Sequence, residues 1–229
     1  MENRVWAVIE DDLVEFDGQS WKKHAIPNPA GDHVLAANRE AVWLLGNDGI
    51  LRTFDGQNWD STEPQSTIEA LCWDAESRFL APDFLADDDG DLWVCSGQLW
   101  RWKDKDWKQV PFQDQMLTDA GLRGYADEKI WLDDPRGLLW IGQDTQTEGL
   151  FTREQLGLLG HEHIHGVYRF DEQTYASGSK GIHLLDGPQS TLEWPLPDSI
   201  HRCEALATMD GRFHTVAIVR VSASALWLG

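Results

Sequence analysis

Little in this chain suits covalent cross-linking, phosphate binding or membrane crossing. Cysteine is sparse: Cys72, Cys95 and Cys203 are the three in 229 residues, far apart and in no CxxC or Cys/His spacing. That pattern fits reduced thiols in a cytosol and argues against a zinc or disulfide framework. Basic residues are few, with 19 Lys and Arg against 39 Asp and Glu, a formal charge of -20. Nucleic acids and anionic membranes are held mainly through Lys and Arg on phosphates, so neither is an expected partner and a basic protein is. No apolar run approaches the roughly 20 residues of a membrane helix. The opening residues, MENRVWAVIEDDLVEFDG, carry acids where a secretory signal needs an apolar core. The chain reads as a cytoplasmic protein that needs no cofactor. No GxSxG motif and no Cys beside a His in a local signature suggests a nucleophile, so it also reads as non-enzymatic.

What the sequence has in excess is tryptophan, 13 residues of it, and the excess is periodic. RVWAVIEDDLVEFDGQSW (4–21), AVWLLGNDGILRTFDGQNW (41–59), DLWVCSGQLWRWKDKDW (91–107), LLWIGQDTQTEGLFTRE (138–154) and QTYASGSKGIHLLDGPQSTLEW (173–194) share one frame. Its anchors are Trp6, Trp43, Trp93, Trp140 and Tyr175, spaced by 37, 50, 47 and 35 residues. A second large residue (Phe16, Phe54, Trp102, Phe151, Leu185) follows each anchor by 10, 11, 9, 11 and 10. A weaker sixth copy begins near Phe213, and the fourth lacks the closing Trp.

Fixed periods of this size mark repeat architectures. Within a unit, short apolar runs are bounded by Asn-Asp-Gly or Asp-Gly hairpin signals. A further strand candidate precedes each anchor: FLADD, KIWLDD, GVYRFD or ALATMD. Four antiparallel strands per unit predict an all-β fold, a β-propeller with five clear blades and a degenerate sixth. The expected organisation is a single domain over residues 1–229, closed by pairing of its N- and C-terminal strands. A short turn near 152–159 is the one hint of helix.

DDDGDLWVC and VWLLGNDGILRTFDGQNW resemble the short propeller repeats in sensor regions of two-component regulators. Those repeats follow roughly D-x-x-G-x-[LI]-W-[IV]-G-[T], then G-[LI]-x-[RK]-[FY], then a Trp. The resemblance covers most of the chain and implies the fold. The sensor role is not carried over, because no signal peptide, transmembrane segment or kinase segment accompanies the repeats. In charge, size and compartment the chain is also similar to bacterial toxin-immunity proteins.

His161, His163 and His165 alternate in HEHIH, and on a strand would share one face, a candidate transition-metal site. Asp87 to Asp91 superficially resembles a calcium loop, but Trp93 and Cys95 stand where oxygen donors belong, so DDDGD reads as a hairpin turn. On four-stranded blades the turns gather acids on one face: Asp17, Asp55, Asp87, Asp88, Asp89, Asp91, Asp104, Asp106, Asp133, Asp134, Asp186 and Asp210. Glu10, Asp11, Asp12, Asp48, Asp144 and Glu148 fall on the other. The expected partner-binding set is Asp87, Asp88, Asp89, Asp91, Asp104, Asp106, Asp133 and Asp134, with Trp73 and Trp100 as aromatic anchors. The function that follows is an immunity-type inhibitor occluding the active site of a basic toxin or enzyme. A ligand- or glycan-binding sensor and a propeller lyase are the alternatives.

Overall fold

The computed structural model describes residues 4–29, 32–38, 40–64, 83–111, 120–145, 148–159, 162–170, 172–186, 189–195, 203–206, 214–217, 219–221 and 224–226. Among these residues every regular element is a strand. The chain divides into two compact units, Met1–Thr118 and Asp119–Gly229.

The first unit holds three antiparallel sheets, each running up and down in chain order. They comprise β1 (Val5–Ile9), β2 (Asp12–Phe16) and β3 (Trp21–Ala25); β4 (His33–Ala37), β5 (Val42–Gly46), β6 (Leu51–Phe54) and β7 (Trp59–Ser61); and β8 (Asp83–Ala86), β9 (Leu92–Cys95), β10 (Leu99–Lys103) and β11 (Asp106–Gln109). The second unit holds two more sheets of four: β12 (Gly121–Ala126), β13 (Lys129–Asp134), β14 (Gly137–Gly142) and β15 (Glu148–Thr152), then β16 (Ile164–Phe170), β17 (Gln173–Gly178), β18 (Gly181–Asp186) and β19 (Gln189–Pro195). Two strand pairs follow, β20 (Cys203–Leu206) with β21 (His214–Ala217) and β22 (Val219–Val221) with β23 (Ser224–Leu226). The five larger sheets match the five clear repeats, although the first has three strands. Phe213 and the start of the expected sixth repeat lie outside the described residues.

The period-2 alternation of the strands gives each sheet two apolar faces, and these pack against neighbours within a unit. Trp6 and Val8 of β1 meet Val42, Leu44 and Phe54 of the second sheet. Trp43 and Leu45 of that sheet meet Ala86, Leu92 and Val94 of the third. In the second unit Trp131 and Phe151 pack with Ile164, Val167 and Ala176. Close approach there depends on Gly124, whose φ is +154° and whose added Cβ would stand 2.2 Å from the Val167 carbonyl oxygen. The turn at 153–157 is not a helix; it folds Leu156 and Leu158 into this core.

Strand pairing corrects the frame of the fourth repeat. Trp43 faces Thr53 across β5 and β6, Trp93 faces Arg101 across β9 and β10, and Tyr175 faces Leu184 across β17 and β18. The residue in that register in the fourth sheet is Trp131 on β13, and Trp140 on β14 is its cross-strand partner. The segment KIWLDD is therefore a second strand, not a first. The interval survives the shift, since Ile141 follows Trp131 by 10 residues as Leu185 follows Tyr175. Trp43, Trp93, Trp131 and Tyr175 are 8%, 0%, 3% and 7% exposed, whereas Trp140 is only partly buried, as is Trp6 in the three-stranded first sheet.

Candidate binding surfaces

In a four-stranded hairpin sheet the turns after the first and third strands share one end. In the first unit that end carries Glu40, Asp55, Asp88, Asp89, Asp104 and Asp106, and also Asp17, because β1 with its anchor Trp6 holds the second-strand position of a sheet that lacks a first strand among the described residues; all are exposed. Two of them build the turns they sit in. Asp17 Oδ1 accepts the Gln19 and Ser20 amides at 3.0 and 2.8 Å, and Asp55 Oδ1 accepts those of Gln57 and Asn58 at 2.7 and 2.6 Å. The Ser20 and Gln19 amides hold the Asp17 carboxyl down at about 2. Those of Asn58 and Gln57 lower Asp55 in the same way. Beside Asp17, Trp21 packs tilted against Phe16 with ring centroids 4.8 Å apart and stays 61% exposed.

Four carboxylates expected on this rim are instead buried: Asp87, Asp91, Asp133 and Asp134. Asp87 is fully enclosed because its carboxylate organises the turn. Oδ1 accepts the amides of Asp89 and Asp91, and Oδ2 accepts the Trp93 indole N–H at 3.0 Å. Burial pushes its carboxyl up, against the Trp93 hydrogen bond. Asp91 is neutralised by Arg101 and by Lys103, the latter at 3.1 Å. Asp133 and Asp134 lie at the opposite end of their sheet, a consequence of the shifted frame. Asp134 accepts the Arg136 guanidinium at 2.6 Å, and Asp133 Oδ2 lies 2.8 Å from His163 Nδ1. The same shift moves Asp144 and Glu148 to the turn after the third strand of the sheet.

Trp100 packs half-buried on the core between the second and third sheets and is not an exposed anchor. Trp73 lies outside the described residues, as does His161. His163 precedes β16, and the register skips His165 between Ile164 and Gly166. That bulge breaks the alternation on which a shared histidine face depended. Among the described residues no three His, Cys, Asp or Glu side chains are grouped to hold a metal.

The second unit has a feature that the sequence reading missed. A cleft of about 440 Å³ opens between β13–β15 and β17–β18, walled by Trp140, Trp131, Phe151 and Leu150, with Asp127, Lys129, Gln155 and Thr174 among its polar groups. Lys129 Nζ sits 5.2 Å from the Trp140 ring centroid and 2.5 Å from Asp127 Oδ2. The available signal was Gly149, a glycine inside a strand, which marks a close approach.

Solved structures share this architecture. The extracellular domain of a hybrid two-component system from B. thetaiotaomicron aligns with a TM-score of 0.56 at 13% identity, over 96% of this chain and 31% of its own. YCF48 bound to D1 peptide aligns at 0.61 and 14%, over 93% of this chain and 71% of its own. The WD40 β-propeller domain of Doa1 aligns at 0.56 and 10%, over 98% and 77%. The fold is a β-propeller. The chain spans less than a third of the length of that extracellular domain. No protein-family model matches the chain, and no curated protein is similar to it in sequence.

Proposed function

We propose that this β-propeller is a non-enzymatic cytoplasmic binder of a basic protein, acting as an immunity-type inhibitor that occludes the active site of a basic toxin or enzyme. The observation that carries the reading is the exposed acidic end of the first unit. Asp17 and Asp55 are held ionised there by turn amides, and Trp21 supplies the large aromatic surface on which binding energy concentrates. Such a surface speeds encounter with a cationic partner and loses its effect as salt rises. YCF48, a neighbour in fold, is a propeller bound to a peptide, which supports the protein-binding class.

The test is capture of a partner from native extract at low salt, comparing the natural chain with the Asp88→Lys, Asp89→Lys, Asp104→Lys, Asp106→Lys variant. Capture should be lost with the reversal and fade with salt. Capture that survives both would remove the acidic end from the interface. The alternative, a ligand- or glycan-binding sensor, is favoured by the Trp140 cleft. It is separated from the first by whether that cleft selects for charge.

A further inference from the structure

Trp140 occupies a register that the other sheets fill differently. Opposite the aromatic anchor stand Glu15, Thr53, Arg101 and Leu184, whose neighbours on the outer strand are Lys22, Asp60, Lys108 and Thr191. In the fourth sheet an indole is opposed by Gly149. A Cβ on Gly149 would stand 2.5 Å from the indole, so the missing side chain lets the ring lie over the outer strand. The ring carries the Lys129 ammonium, which also meets the Asp127 carboxylate.

We propose that the Trp140 cleft receives an arginine side chain of the protein partner, and that Lys129 stands in for it when the partner is away. The inference rests on the reading of that partner as basic. A partly exposed Lys–Asp pair, here 28% and 53% accessible, is held weakly and is displaceable. A guanidinium is less strongly hydrated than an ammonium, stacks on an indole and can bind a carboxylate in two-pronged fashion. It therefore competes well for the same ring and the same Asp127. The cleft volume falls in the range of ligand pockets, and its wall includes the polar side chains of Gln155 and Thr174.

The test is an NMR titration of the full chain, following the indole N–H resonances, with three capped tripeptides, Gly-Arg-Gly, Gly-Lys-Gly and Gly-citrulline-Gly. The arginine peptide should bind best and the neutral citrulline peptide not measurably. Asp127→Asn should weaken arginine binding roughly fivefold, the scale of one lost charge contact at a partly exposed ring. Trp140→Ala should abolish it. Lys129→Ala should tighten it, because the internal competitor is gone. Equal binding of citrulline and arginine, or weaker arginine binding after Lys129→Ala, would overturn the proposal. Asp127 and Lys129 are partly exposed, so their variants decide the matter even if Trp140→Ala fails to fold. Reversing the acidic end of the first unit should leave the tripeptide titration unchanged, so the two proposals can fail separately.

Discussion

In the first unit, the residue facing anchor Trp6 across the first two strands is Glu15, which is 2% exposed and gripped by Arg4 at 2.7 Å and His24 at 2.8 Å. The corresponding Arg101 lies 4.8 Å over the Trp93 ring and pairs with buried Asp91. In the second unit that register holds Trp140, faced by a glycine and open to a cleft. One strand position thus closes the gap between sheets with satisfied charge in one place and leaves it open beside an aromatic wall in another. A repeat frame constrains the anchors, while the partner opposite each anchor is free to change between locking the sheet and making a site.

The largest effect that should follow is on the true anchor. Trp131→Ala removes a buried ring from the core between the two sheets and should cost about 4 kcal/mol, read by chemical denaturation. If Trp131→Ala were mild, the corrected frame would be in error. Next, Asp87→Ala strips the buried Trp93 indole and two turn amides of their acceptor. A loss of about 3 kcal/mol is expected. An unchanged denaturation midpoint would mean that this carboxylate belongs to the surface after all.

The smallest effect concerns acid. Asp17 and Asp55 titrate below their ordinary range when folded. They therefore add stability above a pH of about 4 that is lost as pH falls through their lowered values. Asp87 has the opposite sign, since its raised value makes its protonated form favourable to the fold and its contribution shrinks as pH rises. The Asp17→Asn, Asp55→Asn variant should show a shallower acid limb in a plot of stability against pH. An identical limb would show that the turn carboxylates do not control it.

The architecture was legible because Trp, Tyr and Asp-Gly recur at intervals set by strand and turn lengths. The frame of the fourth repeat was not. LLWIG offers a second aromatic in an apolar run, and Trp140 to Phe151 happens to be 11 residues, the interval that Trp43 and Phe54 also show. Which of two tryptophans is the anchor is decided by cross-strand pairing, which no linear interval records. Asp-Gly turns were read correctly as turns, yet the direction of a carboxylate depends on the donors awaiting it. Asp88 and Asp89 point to water, while Asp87 between them and the core meets Trp93. Likewise Arg52 is a charged residue in β6, yet it is 1% exposed and bound to Asp48 and the Pro27 and Asn28 carbonyls. The histidine alternation failed for a comparable reason, since a bulge is a property of two strands rather than one.

The most direct measurement of the contrast is the melting temperature of Trp140→Ala beside that of Trp131→Ala. One kcal/mol shifts a domain of this size by roughly 2–4 °C. Trp131→Ala should fall by about 10 °C, while Trp140→Ala, leaving a cleft that water can fill, should fall by about 3 °C. Equal falls would contradict the account, because Trp140 would then be a core anchor and its cleft no site.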